Sequence, residues 1–189
     1  GTLRADDGKT VNKWDISLGD AQYNWLKETL EESDATFKFI FAHMMHGGSR
    51  GGVEQANLYE WGGENQNGNY EFDTERPNWE KPIHQLMADT DVTVFFHAHD
   101  HVWVKQELDG VVYQELGSPA DADYELQNWT SAYIDDSSVI YPNTGYTKVS
   151  VTPEEVQVDY VRTYLPEDET GSQATGNIAY SYTIKAIEN

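Results

Sequence analysis

Cysteine is missing from the sequence. Its absence excludes disulfides, thiolate metal sites and a cysteine nucleophile. Basic residues are scarce, with 12 Lys and Arg against 33 Asp and Glu and a formal charge of −21. A surface of that sign repels nucleic-acid phosphates and anionic headgroups, which argues against a nucleic-acid coating or membrane-surface role. No apolar run approaches the roughly 18 residues a membrane-spanning helix needs. No phosphate-binding P-loop signature is present. The chain opens Gly1-Thr2-Leu3-Arg4 without Met or an apolar leader, so the expectation is a processed protein or a piece of a longer one.

Aromatic residues, by contrast, are plentiful: 6 Trp, 12 Tyr and 6 Phe in 189 residues. They are enough to fill the core of one domain spanning 1–189, despite the charge. Gly19-Asp20 opens a helical stretch with Tyr23, Leu26 and Leu30 on one face, and Asp20 is the expected N-cap. Thr36 to Ala42 reads as a strand buried on both faces, because nearly every residue is apolar. Residues 47–79 hold most of the Gly and Asn, a long loop region whose Trp61, Tyr70, Phe72 and Trp79 predict order. Trp61 and Trp79 read as packing residues ahead of an aromatic wall for a substrate. Pro82 starts a short helix through Ile83, Leu86 and Met87. Val92 to Phe96 is a second buried strand, and Asp109-Gly110 marks a hairpin between Val102–Glu107 and Val111–Leu116. Residues 117–144 read as irregular. Strands follow at Tyr146–Val151, Val156–Leu165 and Ile178–Ile187, with Thr152-Pro153-Glu154 as a turn. The order predicts an α/β part carrying the histidines over 15–118 and antiparallel strands over 145–189.

Histidines carry the chemistry. Five of the six, His43, His46, His97, His99 and His101, lie just past the ends of the two most apolar strands. Ligands of open α/β sheets bind at such strand ends, and neutral imidazole is the commonest metal-binding side chain. In extended chain, His97, His99 and His101 share one side. His84 lies on a short helix and reads as a packing or surface residue. A metallo-β-lactamase spacing, His-x-His-x-Asp-His, fails because Asp100-His101 arrives one residue early. A cupin-like mononuclear site would need Glu107, which follows at a poor spacing.

Phe39-Ile40-Phe41-Ala42-His43, followed by Phe95-Phe96-His97-Ala98-His99-Asp100-His101, resembles the last two motif blocks of calcineurin-like metallophosphoesterases, the superfamily of purple acid phosphatases. The resemblance implies an α/β fold, part of a four-layer α/β/β/α sandwich with a mixed sheet and antiparallel strands toward the C-terminus. It implies two divalent or trivalent metal ions (Fe, Zn or Mn). His43 and His99 would ligate one and His101 the other, with His97 and His46 as further ligands or supports. The implied reaction is hydrolysis of phosphomonoesters or phosphodiesters. Apart from the resemblance, the Arg50 guanidinium with the backbone N–H groups of Gly47 to Gly52 reads as a phosphate-binding element, the alternative being a surface loop. Ala98 stands where the family usually has Gly, and Met44 where relatives often carry another His.

The family's early blocks, Asp-x-His, Gly-Asp-x-x-Asp and Gly-Asn-His-Asp or Glu, do not occur before residue 43. They hold the bridging carboxylate and the His that assists the leaving group. The resemblance therefore covers the C-terminal half of such an enzyme, and the chain alone is expected to be inactive or nearly so. A partner chain or homo-oligomer is expected over the exposed sheet edges. The alternative is a non-catalytic structural or assembly subunit derived from the same fold. An extracellular or periplasmic location is expected.

Overall fold

The computed structural model describes residues 11–45, 50–127, 130, 133 and 138–187. Helix α1 (Asp20–Glu32) buries Tyr23 and Leu30 and stops at Ser33. Its N-cap is Gly19, at φ 79°, not Asp20. Asp20 is instead the first helical residue, where the helix dipole favours a carboxylate, and it accepts the indole N–H of Trp79 at 2.8 Å. The long loop region contains two single-turn helices, α2 (Tyr59–Gly62) and α3 (Phe72–Glu75). Trp61, Phe72 and Trp79 are buried there, so both tryptophans pack rather than face a ligand. Arg76 joins them, with its guanidinium 5.4 Å from the Trp14 ring and 5.3 Å from the Trp79 ring. It also pairs with the buried Glu60 at 3.2 Å. Helix α4 (Ile83–Asp89) follows Pro82, which is its N-cap.

Strands β1 (Phe39–Phe41), β2 (Val94–His97), β3 (Trp103–Leu108), β4 (Val111–Glu115) and β5 (Val139–Tyr141) form a mixed sheet in the order β1-β2-β4-β3-β5. β1, β2 and β4 are parallel, whereas β3 runs antiparallel to β4 and β5. The β3–β4 turn has Asp109 at φ 48° and Gly110 at φ 82°. Two successive left-handed residues match the twist of a two-residue hairpin, which is why Asp-Gly sits there. The stretch expected to be irregular contains β5. β6 (Gly145–Val151), β7 (Glu155–Arg162) and β8 (Ile178–Lys185) form an antiparallel sheet in that order.

Period-2 alternation assigns the two faces of the first sheet. Ile40, Phe95, Val111 and Tyr113 face Tyr23, Leu86 and Met87 of the helices. Val94, Phe96 and Val112 face Tyr182 and Ile184 of β8. The chain is therefore an α/β sandwich with helices, a mixed sheet and an antiparallel sheet in sequence. Trp103 stacks on Tyr160 across the two sheets, with centroids 5.1 Å apart and planes at 16°. Burial there pushes the Tyr160 phenol up to about 12. β1 departs from expectation: it lies at the sheet edge, and Phe41 is 71% exposed rather than buried. No helix among the described residues is long and apolar enough to cross a membrane.

Candidate metal centre

The parallel pairing of β1 and β2 continues past both strands. Ala42 N–H donates to Phe96 O at 3.1 Å, and Ala98 N–H donates to His43 O at 3.0 Å. That register brings His43 level with the start of the His99 loop. Nδ1 of His99 and Nε2 of His43 are 3.4 Å apart. The rings meet edge to face, with centroids 5.4 Å apart. Both side chains are exposed. Ala98 is not at positive φ; His99 and His101 are instead, at 104° and 51°. Left-handed backbone is costly for residues with a Cβ and persists where the surroundings over-determine it.

Asp100 holds that backbone. It is 3% exposed and accepts the phenol O–H of Tyr133 at 2.5 Å, Arg50 Nη1–H at 2.9 Å and Gly51 N–H at 3.2 Å. Its own N–H donates to Glu115 Oε1 at 3.0 Å. The other oxygen of Glu115 pairs with His97 Nδ1, and both of these side chains are buried. Burial raises the pKa of the Tyr133 phenol, and the Glu115 and Asp100 carboxylates add to the shift. A buried carboxylate with this many donors is satisfied without water.

The histidines therefore separate. His43 and His99 come together at the strand ends. His101 stands apart, with Nδ1 at 3.1 Å from Asp121 Oδ2. His97 turns into the core, stacked on Phe95 at 5.3 Å, because β2 alternates and position 97 falls on the helix side with Phe95. There it supports Glu115 rather than facing His99. His84 is buried, with its ring nitrogens 2.7 Å from Tyr113 Oη and 3.0 Å from Asp109 Oδ2. His46 lies outside the described residues. Arg50 sits at the rim with its guanidinium on Asp100. Glu107 lies toward the hairpin turn, opposite Val112 and paired with Lys105, which removes the basis for a cupin-like site.

His99, His101 and Arg50 line a cleft of about 230 Å³ together with Asp121, Asp123 and Glu125. With Asp100 also in the wall, four carboxylates against the Arg50 guanidinium make the cleft hostile to a phosphate ester unless a cation is bound. Among the described residues, no group of three or more His, Asp or Glu is placed to hold a metal ion. The donors present do not fit a complete two-metal set.

No family model matches the sequence, and no curated protein matches it. Solved structures do. One is purple acid phosphatase PPD1 from yellow lupin (Lupinus luteus) seeds, with a TM-score of 0.56 at 16% identity. The match covers 89% of this chain and 28% of that one. The fold is purple acid phosphatase-like. A second is GAP50, the anchor in the inner membrane complex of Plasmodium, with a TM-score of 0.55 at 13% identity. That match covers 89% of this chain and 43% of the other, so this chain spans less than half the length of either.

Proposed function

We propose that this chain carries the C-terminal half of a metal-dependent phosphoesterase centre. His43 and His99 are two donors to one ion, and the remaining donors come from polypeptide beyond this chain. The observation behind this reading is the 3.4 Å gap between His43 Nε2 and His99 Nδ1. Two nitrogens each about 2.0–2.1 Å from a tetrahedral ion lie about 3.3–3.4 Å apart. His101 is the donor proposed for a second ion, since Asp121 holds its Nδ1 as carboxylates hold ligating imidazoles. Bound Fe, Zn or Mn would supply the positive charge that a phosphate ester needs near a chain of charge −21. The ester class rests on likeness of fold.

Titration of the chain with Zn²⁺ or Mn²⁺ in a calorimeter tests this reading. The expected result is one ion per chain, with affinity falling at least tenfold in His43→Ala and in His99→Ala. Hydrolysis of p-nitrophenyl phosphate and bis-p-nitrophenyl phosphate by the chain alone should stay at background. Brisk turnover would overturn the half-site; unchanged metal affinity in both variants would overturn the ligand assignment. The acidic cleft, with no three-donor group among the described residues, favours a second reading, a non-catalytic assembly subunit. It predicts a folded chain that takes up no metal.

A further inference from the structure

The outer edge of β1 is built like an interior of a sheet. β1 is terminal in its sheet, and among the described residues no strand pairs with its outer side. Parallel alternation turns the N–H groups of Ile40 and Ala42 toward β2 and those of Phe39 and Phe41 outward. Both faces beside that edge are apolar. On the inter-sheet face, Phe41 stacks on Phe96 with centroids 4.9 Å apart yet stays 71% exposed. On the helix face, Trp25, Leu26, Ile40, Ala42 and Trp61 line a groove of about 330 Å³ with no charged residue in its walls. Trp25 is 61% exposed.

Natural edge strands are protected by charges, prolines or bulges. This one has none. Its nearest charge, Lys38, is spent on helix ends, donating to Thr90 O at 2.8 Å and Leu30 O at 3.3 Å. β1, β2 and β4 are all parallel, and parallel sheets have both faces covered.

We infer that the β1 edge receives a strand from a complementary polypeptide. That strand runs parallel to β1, is apolar on both faces and is uncharged over its centre. This inference rests on the half-site reading, because the incoming strand belongs to the polypeptide that completes the centre. Two observations select that occupant over a second copy. A copy would bring its own charge of −21 against the same charge. The two solved structures of similar fold are longer polypeptides, of which this chain covers 43% and 28%.

The probe is a short capped peptide of Val and Ile flanked by lysines, with a control of equal charge carrying a central proline. Sedimentation should show a monomer with fast-exchanging amides at Phe39 and Phe41. The Val/Ile peptide should bind one to one, slow those amides at least tenfold, and shift Trp25 fluorescence. The proline control should do neither, and Trp25→Glu should weaken peptide binding at least tenfold. A dimer with those amides already protected, dissociated by Trp25→Glu, would place a second copy there and overturn the inference. Equal behaviour of peptide and control would overturn it as well. Metal titration of the parent chain keeps the two readings apart: metal bound through His43 and His99 with no binding of the Val/Ile peptide removes the docking strand alone.

Discussion

Between two exposed imidazoles the chain carries an almost fully buried carboxylate. Asp100 gathers Arg50 and Gly51 from one segment and Tyr133 from another, and its N–H rests on Glu115. Alternation about this anchor turns His99 and His101 outward. Asp100→Ala leaves buried donors without an acceptor, and we expect a loss of about 2–3 kcal/mol in urea unfolding. Metal affinity at His43 and His99 should fall in the same variant. The approach of His43 to His99 was legible in the sequence because each follows the end of an apolar strand. Asp100, Glu115 and Tyr133 were not. Asp100 reads as one more loop residue, and Glu115 sits at a strand end where a polar residue is ordinary. Only the register His97↔Glu115 shows them to be partners.

Elements with strong local chemistry formed where they were expected. The Asp109-Gly110 hairpin and α1 are examples, since each is set by turn residues or by one apolar stripe. β5 was missed because it has three residues in a polar neighbourhood and exists through pairing with β3. The burial of β1 was overestimated for a related reason: an apolar run reports what a strand is suited to, not what lies beside it. Among the described residues between β1 and α4, Arg76 is a central tie, lying between Trp14 and Trp79 with its charge on Glu60. Glu60 is fully buried, and its second oxygen accepts Leu18 N–H at 3.0 Å. Removing one member of a buried pair costs about 3–5 kcal/mol. Arg76→Ala should therefore unfold at markedly lower urea, and limited proteolysis should then cut between residues 50 and 80.

At the scale of the molecule, acidity governs stability in two opposite ways. General repulsion among the excess carboxylates weakens as they are protonated or screened by salt. Asp159 works the other way. Hydrogen bonds from Ser181 and Gln157, with Lys148 nearby, hold its carboxyl below the usual carboxylate range. A lowered folded-state value contributes stability that is present above the unfolded value and is lost as pH falls through the folded one. Asp159→Asn should lower Tm at pH 6, with the gap to the parent closing below about pH 4. A gap that stays constant with pH would mean the residue acts through packing alone. The same excess of negative charge gives a bound cation its part in the account, since Arg50, the cation in the cleft wall, is already paired with Asp100.

Anomalous diffraction from the Zn²⁺-loaded protein tests that account most directly. It predicts one strong peak bridging Nε2 of His43 and Nδ1 of His99, at about 2.1 Å from each. Zinc bound elsewhere, with those two rings packed against each other and no density between them, would contradict it.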